Sequence, residues 1–317
     1  SFKRGNMKLI DKIKSQKEKV YTSTGESVNI DSIMIDDNGD IQSYFYKPEE
    51  LHQMRSISKV LTTLAYGIAI DKKMLVCGKP LTVNSFVYPV LKNLTSIKKE
   101  NVEKIKKWQI KTLLTYSAGY DRQMFSKKFI NDIDEKDYVN YVLNYNLIYN
   151  PGEKYVYNNA ELFLLSVFFQ EAFGINLKDF IVKEIFEPLN ITEFVWENFG
   201  KYCPGGTGLF LSHSNLFKIG ELILHKGKYN GQEIVSKKFI EEMCTMQIPT
   251  PYAVNPERVL PKIGVGYIMH ISRDGYVYKD GTYGQYLIVN FDKNQLITIL
   301  SNEQEMSYVT EILRGII

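Results

Sequence analysis

The chain has 317 residues, 44% hydrophobic and 24% charged, enough to bury a sizeable core in one large domain or two interleaved ones. Its 39 Lys and Arg against 36 Asp and Glu leave a net charge of +3, too small and too evenly mixed to suggest a nucleic-acid partner. No apolar run reaches the roughly 18 residues a membrane span needs, and Cys77, Cys203 and Cys244 form no CxxC pair, which argues against zinc ribbons and thioredoxin-like chemistry and for buried free thiols.

In chain order, the opening SFKRGNMKLI has positive charge but no apolar stretch behind it, unlike a signal peptide. Residues 28 to 46 read as two strands around Asn38-Gly39, a strong hairpin signal, and the DDNGD within them lacks calcium-loop spacing. Residues 56 to 71 read as a helix that Ser56 can cap, with Val60, Leu61, Leu64, Ala65 and Ile68 at helical spacing. The mixed charges of IKKENVEKIKK (97 to 107) read as a solvated helix face. Helices are predicted at 108–116, 135–145, 159–173 and 177–186. A Gly-rich turn, GGTG, then leads into a helix from about Ser214. Residues 264–272, 276–279, 284–290 and 295–301 alternate as strands, and SYVTEILRGII reads as a terminal helix. Strands at both ends and helices between them predict an α/β layer, residues 1–78 with 190–317, carrying an inserted helical domain, 79–189. His52, His213, His225 and His270 make no metal motif at i, i+3 or i, i+4, and no GxGxxG or GxxxxGK[ST] stretch exists, so no metal or other cofactor is expected.

Three short patterns carry chemistry. Ser56 and Lys59 stand three apart at the mouth of an apolar helix, hence on one face. A serine hydroxyl needs a base, and a desolvated lysine beside another cation can be one. Tyr157 and Asn159 precede a second apolar run. A tyrosine near two cations can act as a base, and the asparagine amide can hold the lysine and a substrate carbonyl. Lys279 and Gly281 begin an edge strand. The lysine can pair with a substrate carboxylate, and the glycine lets a substrate backbone approach. Each pattern has a second copy of the same spacing: Ser96/Lys99, Tyr138/Asn140 and Lys262/Gly264, the last read as a turn lysine and a turn glycine. No pattern is specific alone; their order and contexts together are.

From about Ile33 to Asn302 the chain resembles the serine β-lactamase/DD-peptidase superfamily, and within it the class C β-lactamase-like hydrolases and esterases. The resemblance rests on RSISKVLTTLAYGIAID, IKTLLTYSAGY (with Tyr116 where histidine is common), NPGEKYVYNNAELFLLS, PLNITEFVW, GGTGLFLSHSNLFKIG and KDGTYGQYLIVNFD. It implies an α+β fold, an antiparallel sheet flanked by helices beside a helical domain. It implies Ser56 as nucleophile, Lys59 as its proton-transfer partner, Tyr157 as general base, and Asn159, Lys279, Gly281 and Thr282 at the substrate, with the Ser56 and Thr282 N–H groups as oxyanion hole. Asp280 departs from the penicillin-recognising Lys-Thr-Gly pattern, either offsetting Lys279 or pointing away from it. The expected function is acyl transfer from an ester, β-lactam or D-amino-acid amide, on a small-molecule or peptidoglycan-like substrate. The alternative, a ligand-binding relative without turnover, is expected to lack one of the three patterns. The family's habit favours an extracytoplasmic protein with any leader removed, and the unpaired cysteines favour a reducing interior.

Overall fold

In a computed structural model, which describes Gly5 and residues 7–125, 131–252, 255 and 257–317, eight antiparallel strands form one sheet. They are β1 (Ile30–Asp37), β2 (Asp40–Phe45), β3 (Ile248–Pro249), β4 (Gly264–Val265), β5 (His270–Ile271), β6 (Tyr276–Gly281), β7 (Gln285–Asn290) and β8 (Gln295–Ser301). Their order is β2-β1-β8-β7-β6-β5-β4-β3, so the N-terminal hairpin docks on the last strand, with Ile35 opposite Ile297. The hairpin turns at Asn38 (φ 51°) and Gly39 (φ 93°), both left-handed, as a two-residue turn requires.

Alternate side chains serve two cores. Ile33, Ile35, Ile288, Ile297 and Ile299 face helix α1 (Leu9–Lys17) and the C-terminal turns. Val277, Leu287, Val289 and Leu296 join the larger core around helices α2 (Ser58–Asp71), α3 (Ala160–Phe173) and α4 (His213–Leu224). The alternation expected of 284–290 and 295–301 is not a polar–apolar one: every residue of β7 and β8 is buried, and burial on both faces explains the nearly unbroken apolar runs YLIVN and LITIL. From Ser58 to Ala69 every residue of α2 is buried, so the helix shows no strongly polar face.

The structure corrects several local readings. Ser56 caps nothing; it sits in a 3₁₀ turn, Arg55–Ile57, and α2 begins at Ser58. The run 264–272 is two short strands, because the chain leaves the sheet at 266–269, where Ile268 (φ 60°) donates its N–H to the Leu114 carbonyl. The terminal stretch folds as 3₁₀ turns at Met306–Tyr308 and Thr310–Leu313. The cysteines are unpaired, but only Cys203 is fully buried; Cys77 is exposed. Among the described residues no single helix is long and apolar enough to cross a membrane.

Candidate active site

Ser56, in the 3₁₀ turn, and Lys59, in the first turn of α2, stand three apart on a continuous helical path and so share one face. Lys59 is fully buried and its Nζ donates to Ser56 Oγ at 3.0 Å, to the Gly206 carbonyl at 3.0 Å and to Asn159 Oδ1. The turn is held at its start. Met54 N–H donates to the Leu209 carbonyl, and Arg55 takes φ 52°, a strained value for a non-glycine residue. The glycines of GGTG explain the third partner. A Cβ on Gly205 would lie 2.4 Å from the Leu162 carbonyl oxygen, so only glycine lets this segment cross α3 closely enough to aim Gly206 at Lys59.

Asn159 immediately precedes α3, and its N–H donates to Gln123 Oε1 at 2.6 Å. Asn158 is buried; its Oδ1 accepts from Met124 N–H and its Nδ2 donates to the Arg122 carbonyl, fixing the 122–124 segment beside the site. The Tyr157 ring centre is 5.0 Å from both Lys59 Nζ and Lys279 Nζ, and Lys279 Nζ donates to its hydroxyl at 3.4 Å. Tyr116 packs on Tyr157, ring centres 5.0 Å apart.

Lys279, which is fully buried, and Gly281 do not begin an edge strand: they lie at the end of β6, which runs between β7 and β5. The last β5 residue paired to it on that side, His270, stands opposite Tyr278, so 279–281 run on along a free edge. There the Asp280 carboxylate meets Lys279 Nζ at 3.1 Å, His270 Nε2 at 3.1 Å and Lys262 Nζ at 3.6 Å. Asp280 thus offsets Lys279; it does not point away. Burial would raise the Asp280 carboxyl, but Lys279, His270 and Lys262 together hold it well below the usual range. Burial pushes Lys59 down to about 8, aided by Lys279 and opposed by Tyr157. Burial, with Lys262 helping and Asp280 opposing, likewise pushes Lys279 down to about 8. Burial first, then Lys262, brings His270 down to about 3, so the imidazole is neutral at ordinary pH.

Gly281 closes the constellation. A Cβ there would lie 2.8 Å from the Met54 carbonyl oxygen, 2.9 Å from Arg55 Cβ and 3.2 Å from Ser56 N. Gly281→Ala is therefore expected to push β6 off the serine turn and lower kcat/KM on the order of 10²-fold, the cost of misplacing reacting groups by an ångström. Unchanged far-ultraviolet circular dichroism with full activity would show that the contact has slack.

These groups border a cleft of about 780 Å³ lined by Ser56, Tyr157, Asn159, Gly281 and Thr282, with Phe125, Phe199, Tyr283 and Met306 as its apolar surface. Sequence reasoning missed Gln123 and Lys262, which also line it. Lys262 corrects the reading of Lys262/Gly264 as a mere turn; its position against Asp280 comes from a strand neighbour that no local spacing reveals. The other two copies lie elsewhere. Ser96 and Lys99 are exposed, and Tyr138 is buried in an aromatic cluster with Phe125 and Phe199.

Such a fold is that of the β-lactamase and penicillin-binding-protein superfamily, a superfamily of hydrolases. The chain belongs to the beta-lactamase family, whose model it matches over residues 33–314. No curated protein matches it. It is similar in structure to EstCE1, a hydrolase with promiscuous acyltransferase activity, at 15% identity over 96% of this chain and 97% of that one, with a TM-score of 0.74. The Beta-Lactamase/D-Alanine Carboxypeptidase from Pseudomonas syringae is 16% identical, covering 98% of this chain and 99% of that one at a TM-score of 0.68. The octameric penicillin-binding protein homologue from Pyrococcus abyssi is 19% identical, covering 96% and 75% at 0.69. At such identities the likeness is one of fold.

Proposed function

We propose that the protein is a serine hydrolase working through an acyl-enzyme on Ser56. The observation that carries this reading is the 3.0 Å contact between Ser56 Oγ and a fully buried Lys59 whose pKa is lowered to about 8. A lysine so placed has an accessible neutral form, which can take the hydroxyl proton as Oγ attacks a carbonyl. Tyr157, the general base of the family resemblance, stands between the two lysines and relays that proton, passed on from Lys59, to the leaving group, so that both residues end the acylation step as they began it. The N–H groups of Ser56 and Thr282 stabilise the oxyanion, and water releases the acyl group. Asn159 holds Lys59 and meets the substrate amide. In this reading 1–78 with 190–317 form one domain and 79–189 the other, each giving the cleft part of its wall. Ester, D-amino-acid amide and β-lactam carbonyls all suit this chemistry. The Asp280 carboxylate, standing where the penicillin-recognising pattern has a hydroxyl, favours esters and amides over β-lactams.

The test is intact mass after incubation with a fluorophosphonate probe. One adduct on wild type and none on Ser56→Ala is the expected result. No adduct on folded wild type would overturn the assignment and leave a binding protein; an adduct that persists in Ser56→Ala would overturn it by placing the nucleophile on another residue.

A further inference from the structure

Away from the cleft, α4 lies along the face of β1 that carries Ser32 and Asp36. At its start His213 Nδ1 meets Ser32 Oγ at 2.5 Å. Eight residues along the helix Glu221 faces Asp36, four residues along the strand; about 12 Å of helix rise matches about 13 Å of strand. His225, one further helical turn on, lies on the same side. Glu221 and His225 are thus an i, i+4 pair of ligand types, contrary to the sequence reading of the histidines, and their third partner comes from a distant strand.

The ligand atoms of Asp36, Glu221 and His225 all lie within 4.8 Å of one another. Asp36 and Glu221 are 4% and 8% exposed, while His225 is open to solvent. Asp36 is held in place by the Gly39 N–H, which donates to its Oδ1 at 2.7 Å. Glu221 Oε2 is buried, has no hydrogen-bond partner among the described residues, and is aimed into the cluster with His225 Nε2 at 3.5 Å. Two buried carboxylates facing each other need a cation or a shared proton.

We propose that Asp36, Glu221 and His225 bind a divalent cation of the zinc class, which clamps α4 to the N-terminal hairpin. Two carboxylate oxygens and one imidazole nitrogen suit zinc, which commonly takes three protein ligands and leaves one position for water. The exposed His225 puts that position on the solvent side. The site stands on β1, separated from the β6 residues of the cleft by β8 and β7, so its role is structural.

The experiment is zinc titration of chelator-stripped full-length protein, with bound metal counted by elemental analysis after dialysis and thermal melting followed in parallel. One zinc per chain is expected, with a melting temperature raised on the order of 5 °C at a hundredfold excess over Kd. His225→Ala, at a surface position that leaves the fold intact, is expected to weaken binding roughly tenfold or more while ester hydrolysis and probe labelling stay at the wild-type level. Glu221→Gln is expected to abolish binding. No bound zinc in wild type, with Glu221→Gln as stable or more so, would mean that the carboxyls share a proton, and would overturn the site. Undiminished binding in both variants would place the metal elsewhere and overturn it equally.

Discussion

Lys59→Met is expected to lower kcat/KM on the order of 10³-fold, the range set by loss of a positioned proton-transfer group, and to slow probe labelling in parallel. Methionine keeps a buried unbranched stem at the position. It removes the Nζ that Ser56 Oγ, Asn159 Oδ1 and the Gly206 carbonyl share. Three acceptors lose a partner, at about 1–3 kcal/mol each where they stay buried, but a buried cation disappears too, which offsets part of the loss. The variant is therefore expected to fold. The pH profile separates chemistry from structure. The neutral amine is the competent base, and its fraction grows as pH rises, so wild-type kcat/KM is expected to climb through about pH 8. Because Lys279 titrates in the same range and the two repel, the midpoint belongs to the pair. Lys59→Met should lose this limb. Lys279→Met should move it upward, since a like charge that lowers Lys59 is gone. A Lys59→Met enzyme that keeps both its rate and the limb would reduce Lys59 to a structural cation.

Asp280→Asn is expected to cost about 3 kcal/mol of stability at pH 7, the usual penalty for removing one partner of a buried ionic cluster. The carboxylate faces Lys279, His270 and Lys262, and no other acid joins them in the described contacts. Without it Lys279 falls still lower in pKa and Lys262 loses its counter-ion at the cleft wall. The sign with pH follows from linkage. The folded pKa of Asp280 lies below its unfolded value, so its contribution is full above the ordinary carboxylate range and is lost as pH falls through the folded pKa. Wild type should therefore lose stability below about pH 4, and the variant should lack that part of the acid limb. Urea unfolding at several pH values measures both effects. Equal stability of the two proteins at pH 7 would show that the lysines are held neutral without Asp280.

Both predictions act on groups whose pairing was only half legible in the sequence. The Asn38-Gly39 turn, the apolar period of α2 and the three-residue step from Ser56 to Lys59 are local, and local spacing reads them directly. The cap assigned to Ser56 failed because the same three residues form a 3₁₀ turn, a choice made by the tether of Met54 to Leu209 and by Gly281 packed against the turn. The predicted strand over 264–272 failed for a similar reason: alternation continues, but Ile268 pairs with the Leu114 carbonyl instead of a strand neighbour.

By itself the sequence determined the ends of the sheet, the helical middle and a short set of chemistry-bearing candidates, because periodicity and turn residues act within a few positions of one another. Tertiary structure alone decided which lysines are buried, that Asp280 turns toward Lys279, that Lys262 reaches the cleft, and that Asp36 meets Glu221 and His225. Charge state depends on desolvation and on neighbours brought from distant segments, and neither quantity exists until the strands and helices have packed.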